Sequence, residues 1–318
     1  MKKDKLAFII GVTGQDGCYL SLYLLKKNYK ILGFTRSKLK KNLKNLKKTN
    51  LIGKIKLKKY SENNPNTILR ELKKNPPDEV YYFAGQSSVG LSYKLPLETY
   101  SSNICVLFYI LEFLRSNNLK TKLYNSCSTD CFGYSKNILK KENDEFNPIS
   151  PYGRSKSFAF WLTKFYRENY NLHSKNGILS NHESPLRNSN FVFKKVVNFL
   201  KNRKKNENLY LGNISVFRDW GWAPDFSSAI HKINVSSKKK DYVVGTGKLT
   251  SLKKSIYKMF LLSGVDKKFL KINNKKFSRP TEIKKICANP ALIKKELSWS
   301  AKIKGENLLD KLLKEKII

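Results

Sequence analysis

The string GVTGQDG, Gly11 to Gly17, follows a run of five apolar residues, Leu6 to Ile10, and precedes a stretch with helical periodicity through Tyr19, Leu20, Leu22, Leu24 and Leu25. A strand, a glycine-rich turn and a helix in that order leave few folds open. Glycines spaced three apart let the turn close tightly and let backbone N–H groups approach an anion at a helix N-terminus. Three glycines in a loop also make an ordinary tight turn, so the string gains its weight from position. A second apolar run, Tyr29 to Phe34, completes a βαβ unit.

The alternation continues. Glu79 to Phe83 reads as a strand, Ile104 to Leu114 as a helix, Leu123 to Ser126 as a strand and Lys156 to Tyr170 as a helix. The pattern predicts an α/β fold with a Rossmann-type, doubly wound parallel sheet and helices on both faces. Beyond residue 180 the order loosens, with Pro185, Pro224, Pro280 and Pro290 as breaks and helices predicted near 191–203, 250–263 and 306–314. That section suits a smaller, mostly C-terminal substrate-binding lobe. The expected division is a dinucleotide-binding domain over 1–180 that takes back a segment near 216–246, and a substrate lobe from 181–215 and 247–318.

Length and composition fit this plan. A chain of 318 residues, 40% hydrophobic, can bury a core in each of two lobes. No apolar stretch reaches the roughly 18 residues of a membrane helix, and Met1 to Lys5 leads straight into the first strand, so a soluble, cytoplasmic protein without a membrane partner is expected. The five cysteines are odd in number and scattered, and three histidines are few, so neither a disulfide framework nor a metal centre is expected.

The formal charge of +39 invites nucleic-acid binding. Only nine of the 63 basic residues are Arg, however, and lysines run the whole length, as at Lys38 to Lys48, Lys194 to Lys205 and Lys238 to Lys240. A solvated lysine surface is the plainer account, and nucleic acid is not an expected partner. Such a field would still draw in a phosphate-bearing substrate.

Three further features concern chemistry. Arg36 follows the second strand, where an acidic residue would bond a free ribose 2′-hydroxyl; a guanidinium favours a 2′-phosphate, hence NADP over NAD. A surface Arg after a strand is the alternative. Tyr152 and Lys156 stand four apart at a helix start and share a face, so that the ammonium is expected to lower the phenol's pKa. Ser128, Thr129 and Asp130 offer two hydroxyls and a carboxylate at a strand end, or simply a capped turn. Each is weak alone; together they outline an active site.

The strings GVTGQDG, PDEVYYFAGQSSV (Pro77 to Val89) and SPYGRSK (Ser150 to Lys156) resemble the extended short-chain dehydrogenase/reductase superfamily. The strings NGILSNHESPLR (Asn176 to Arg187), YLGNISVFRDWG (Tyr210 to Gly221) and FSRPTEI (Phe277 to Ile283) are similar to elements of its GDP-mannose 4,6-dehydratase family. The resemblance covers nearly the whole chain. It implies an NADP-dependent lyase of nucleotide-sugar metabolism, on the route to GDP-fucose, that oxidises a GDP-hexose at C4, eliminates water across C5 and C6 and returns the hydride to C6.

Carried over, Tyr152 takes the O4 proton, Lys156 lowers its pKa and holds the cofactor ribose, Ser128 bonds O4, and Asp130 is the C5 base. Gly11, Gly14, Gln15, Asp16, Gly17, Arg36, Glu62, Ala84, Gln86, His182, Glu183 and Arg187 fall at cofactor positions. Ser87, Asn181, Lys195, Arg218, Arg279 and Glu282 fall at substrate positions, although Arg218, Asp219 and Trp220 taken alone read as a surface ion pair beside a packed Trp. A homodimer or tetramer is implied.

The chain also departs from the family. Asp130 replaces Glu, Glu62 replaces Asp, Ser88 replaces His, Leu186 replaces the first of two Arg, Trp222 stands where His is usual, and the segment between Gly264 and Phe277 is short. These changes keep two alternatives open: a related epimerase, reductase or dehydratase on a modified GDP-sugar, and a nucleotide-binding relative without catalysis.

Overall fold

The structure, a computed structural model, describes residues 4–36, 43–277 and 279–314. Residues 38–42 of the first lysine run and Ser278 of the FSRPTEI string lie outside the described residues. In chain order the strands are β1 (Leu6–Ile10), β2 (Lys30–Thr35), β3 (Lys56–Lys59), β4 (Glu79–Tyr82), β5 (Lys122–Ser128), β6 (Leu139–Lys140) and β7 (Ser174–Leu179). There follow β8 (Asn181–Glu183), β9 (Leu209–Tyr210), β10 (Phe217–Trp222), β11 (Tyr242–Val244), β12 (Leu249–Ser251), β13 (Leu270–Lys271) and β14 (Lys285–Ala288).

Seven strands form one parallel sheet in the order β11-β7-β5-β4-β1-β2-β3. Its inner strands are buried on both faces, and their side chains alternate between two cores. Ala7 and Ile9 of β1, with Tyr81 and Tyr124, meet Leu20, Leu24, Phe226 and Ile230 of helices Gln15–Leu25 and Ala223–Val235. Phe8 and Ile10, with Val80, Tyr82 and Leu123, meet Ile68, Leu107, Ile110, Ala159 and Tyr166 of helices Asn66–Lys74, Pro96–Ser116 and Pro151–Tyr170. The doubly wound sheet expected from the sequence is therefore present.

A smaller mixed sheet, β12-β10-β14-β6 with β8 on β10, belongs to the second lobe. Phe193, Val196, Trp220, Ile256, Phe260 and Leu309 pack it against helices Val192–Asn202, Leu252–Leu262 and Glu306–Lys314. The chain re-enters the large sheet with helix Ala223–Val235 and β11, whereas β10, inside the segment expected to return, pairs in the small sheet.

Two helices start earlier than their apolar periodicity predicts. They begin at Pro96 and Pro151, because proline at the first helical position gives up an N–H that has no partner there. Strand β7 carried no clear signal, since SKNGIL reads as polar. Its Lys175 is fully buried and donates to the carbonyls of Ile233 and Asn234 at 2.9 and 3.0 Å, closing the end of helix Ala223–Val235. Arg167 forms a buried fork with Asp241, both contacts 2.7 Å, and ties helix Pro151–Tyr170 to the start of β11. Among the described residues no helix is long and apolar enough to cross a membrane.

Candidate active site

The chain runs outward from β1 through β2 to β3 and then crosses to β4 on the other side of β1, so a crevice opens at the C-terminal strand ends. The turn after β1 forms one wall. Gly11 has a φ of +91°, and a Cβ there would come within 2.9 Å of the Ala84 nitrogen. A Cβ at Gly17 would lie 2.6 Å from the Gly11 oxygen and from Val12 Cα. Neither position accepts a side chain. Gly14 precedes helix Gln15–Leu25 without a side-chain cap, and Gln15, Asp16 and Gly17 line the cleft, so the helix's free N–H groups form an anion cradle.

This turn is fastened to β8. Asp16 Oδ1 lies 3.0 Å from His182 Nε2, and His182 Nδ1 lies 2.7 Å from the Ser180 carbonyl. Gln15 Nε2 donates to the His182 carbonyl at 3.2 Å, while its Oε1 accepts from the Ser184 hydroxyl at 2.7 Å. Burial works to raise the Asp16 carboxyl, but His182 and Arg187 outweigh it and hold the group at about 2. For His182, burial works to lower the imidazole and the Asp16 carboxylate prevails, raising it above its ordinary value. Burial raises Glu183, whose Oε2 faces Arg187 Nε at 3.5 Å.

The second wall is the end of β5 and the start of helix Pro151–Tyr170. Ser128 Oγ donates to Asp130 Oδ2 at 3.1 Å and accepts from the Asp130 backbone N–H at 3.2 Å, which sets the short carboxylate on the turn. Ser150 caps the helix, its Oγ accepting from Gly153 N–H at 3.0 Å. That fixes the first turn, and Tyr152 and Lys156 line the cleft from one helix face. Lys156 Nζ donates to the Ser126 carbonyl at 3.0 Å, and burial lowers its pKa. The phenol differs from expectation: burial raises Tyr152, the Asp130 charge adds to this and only Ser128 opposes it. A dry wall disfavours phenolate, so the resting side chain is protonated.

The third wall comes from the second lobe. Arg218 of β10 is buried and donates to Glu282 Oε1 at 2.9 Å, and Arg279 reaches the same oxygen at 3.3 Å. Asp219 does not pair with Arg218 at the surface. It is buried and accepts from the Thr246 and Gly247 backbone N–H groups at 3.0 and 2.9 Å. Lys195 Nζ sits 4.2 Å from the Phe277 ring centroid, and Ser87 and Asn181 complete the lining.

Four residues assigned to the cofactor from the sequence do not line this cleft. Arg36 and Glu62 pair with each other beyond the ends of β2 and β3. Ala84 packs its backbone on Gly11. Gln86 turns inward, its amide donating to the Ser88 carbonyl at 2.9 Å and to the Thr99 hydroxyl at 3.1 Å, so it holds the loop that carries Ser87. The cleft also holds residues that the sequence reading did not assign to the site: Ser126, Ser180, Gly212, Trp220 and Phe277. Their signal was adjacency, since Ser180 precedes Asn181 and Trp220 lies two residues after Arg218.

Sheet, glycine cradle and Tyr-x-x-x-Lys helix together define an enzyme of the extended short-chain dehydrogenase/reductase class. The family model described as GDP-mannose 4,6 dehydratase matches residues 8–312. GDP-mannose 4,6 dehydratase 1 of Arabidopsis thaliana is 35% identical over 99% of this chain and 90% of its own length. The Vibrio cholerae GDP-mannose 4,6-dehydratase is 30% identical over 97% of this chain and 92% of its own. In fold, a dTDP-glucose 4,6-dehydratase from Bacillus anthracis solved in complex with NAD superposes with a TM-score of 0.84 at 20% identity, over 98% of this chain and 96% of that one. The chain belongs to the GDP-mannose 4,6-dehydratase family.

Proposed function

We propose that this chain is a lyase that converts GDP-mannose to its 4-keto-6-deoxy derivative with no net change of its nicotinamide dinucleotide. The observation that carries the proposal is the meeting of Ser128, Asp130, Tyr152 and Lys156 with the glycine cradle and the Arg218–Glu282–Arg279 cluster in one cleft. The cradle fits a dinucleotide diphosphate because a Cβ at Gly11 or Gly17 would fill the space the backbone leaves.

When bound, the oxidised dinucleotide would supply a hydride acceptor for C4, the same hydride again for C6 and a positive charge that favours deprotonation of the phenol. The Tyr152 oxygen then takes the O4 proton, with the Lys156 ammonium beside it and the Ser128 hydroxyl orienting O4. The resulting ketone acidifies the C5 proton, Asp130 removes it and hands a proton to the departing C6 hydroxyl, which leaves as water, and once the hydride is back on C6 the proton held by Tyr152 goes to C5. Asn181, Lys195, Arg218 and Arg279 bind the nucleoside diphosphate, and Glu282 holds Arg218 and Arg279 in place.

Arg36, at the end of β2, favours NADP over NAD. Glu62, which neutralises it in the free protein, has its carboxyl raised by burial and gives way to a 2′-phosphate. Incubation with GDP-mannose and catalytic NADP⁺ is expected to yield a product lighter by one water by mass spectrometry. Recovery of unchanged GDP-mannose beside an active control dehydratase refutes the assignment.

The chain works as a homodimer in this proposal. Helices Pro96–Ser116 and Pro151–Tyr170 lie side by side and expose Phe108, Tyr109, Phe158, Trp161 and Phe165, with Phe158 and Trp161 54% and 53% accessible. Phe158, Trp161 and Phe165 recur at helical spacing and make one apolar stripe, which a second copy of the same helix pair would cover. Trp161→Glu is expected to shift the mass in light scattering from dimer to monomer; an unchanged mass refutes this interface.

A further inference from the structure

The anion cradle contains an acid. Asp16 stands in the first turn of helix Gln15–Leu25 and lines the same cleft as Gly11, Gly14 and Gly17. Its side chain is 22% accessible, so the carboxylate borders the space a diphosphate would take. Left alone there, it would repel the ligand that the helix N-terminus attracts.

His182 meets this carboxylate. One ring nitrogen lies 3.0 Å from Asp16 Oδ1 and the other 2.7 Å from the Ser180 carbonyl oxygen. Both partners are acceptors only, and a neutral imidazole can donate from one nitrogen alone, so the geometry requires a proton on each. The flat face of the ring stacks on Phe226, with centroids 4.5 Å apart and planes at 22°, and the ring cannot turn away without losing that contact. The charged groups that face it are Asp16 from the first helix, and Glu183 and Arg187 from the β8 segment; helix Ala223–Val235 contributes only the uncharged Phe226.

We infer that His182 is held as an imidazolium by Asp16, and that this proton makes the cradle able to accept a dinucleotide, with Asp16 serving as a positioning residue rather than a cofactor ligand. The inference rests on the proposed dinucleotide site. Loss of the proton leaves Arg187 alone to offset the Asp16 charge against the diphosphate and loosens the turn from β8, where Gln15 also bonds the His182 carbonyl. The sign follows from the raised imidazole: the pair is intact below the ordinary histidine range near 6.5 and is lost as pH rises through the higher folded value.

The test follows NADPH binding by fluorescence between pH 7 and 9.5, where the 2′-phosphate is already doubly ionised. The full chain should lose about tenfold in affinity across that range, the effect of about one pKa unit of linkage. Asp16→Asn removes the repelling charge, so it should still bind and should give a flat profile, whereas a merely structural loss would lower affinity by the same factor at every pH. Nitrogen-15 NMR, with His182→Gln to assign the signal among three histidines, should show two protonated ring nitrogens at pH 7.5. A neutral imidazole at that pH, a flat profile in the unaltered chain, or the same slope in Asp16→Asn each overturns the inference. Neither readout needs sugar turnover, so a failure here is distinct from a failure to dehydrate GDP-mannose.

Discussion

Tyr152→Phe is expected to abolish turnover of GDP-mannose, with kcat falling by about 10³-fold or more, the range set by loss of a positioned acid–base group. The variant removes one oxygen from a side chain that is only 8% accessible and keeps the ring in the cleft wall, so packing survives. Burial and the neighbouring Asp130 both press this phenol toward its protonated form. A group held so far from its base form works only when positive charge arrives beside it. Lys156 is a fixed part of that charge, although burial weakens it too and its ammonium rests on the Ser126 carbonyl. Calorimetry should therefore find dinucleotide and GDP-sugar affinity within about threefold of the unaltered chain while the chemistry is gone, since only transition-state contacts are lost. A kcat within tenfold of the starting value would remove Tyr152 from the role of base.

How far the sequence revealed this site depended on what each residue does to the backbone. Gly11 to Gly17 was legible because a tight turn between strand and helix needs residues without Cβ atoms, and the distances to Ala84 and Val12 give the reason. The large sheet was legible where its strands are apolar, as in β1 throughout and in β4 after Glu79. It was hidden where polar side chains are buried with partners distant in sequence: Lys175 and Asn176 leave β7 without a clear strand signal, and their partners, Ile233, Asn234 and Asp241, lie about sixty residues on. Local periodicity carries no trace of such bonds. β3, with KLKK at the sheet edge, hid for the opposite reason, as it buries little.

The same division runs through the site. Tyr152 and Lys156 share one helix, so their spacing alone placed them together. Arg218 and Asp219 share one strand, and adjacency misled, because consecutive strand residues point to opposite faces. Arg218 turns to Glu282 in the cleft and Asp219 turns to Thr246 behind it. The electrostatic balance at Tyr152 was not legible at all, since it depends on how dry the wall is and on Asp130 reaching it from another element. Nor was the bond from Asp16 to His182, two residues 166 apart in the chain that only the folded crevice brings together.

Asp130→Asn is expected to stop the loss of water, with product formation lower by about 10²–10⁴-fold, while NADPH binding stays within about twofold. By the resemblance Asp130 stands where the family has Glu, and as the proposed base its carboxylate, one methylene shorter, has to reach the same C5 proton. The two bonds between Asp130 and the Ser128 hydroxyl hold the carboxylate on the turn Thr129–Phe132 at the cleft wall. Asparagine keeps the size and can still bond Ser128, but it cannot accept a proton from carbon. The C4 oxidation does not need that step. Mixing the variant with GDP-mannose and NADP⁺ should therefore give a rise in reduced-cofactor absorbance that does not decay, in place of a transient, and no exchange of the C5 hydrogen with deuterated solvent. Asp130→Glu restores the usual length but loses the close fit to Ser128, and elimination should persist within about tenfold. Full dehydration by Asp130→Asn would mean that another group takes the C5 proton and that the short carboxylate serves only to orient Ser128.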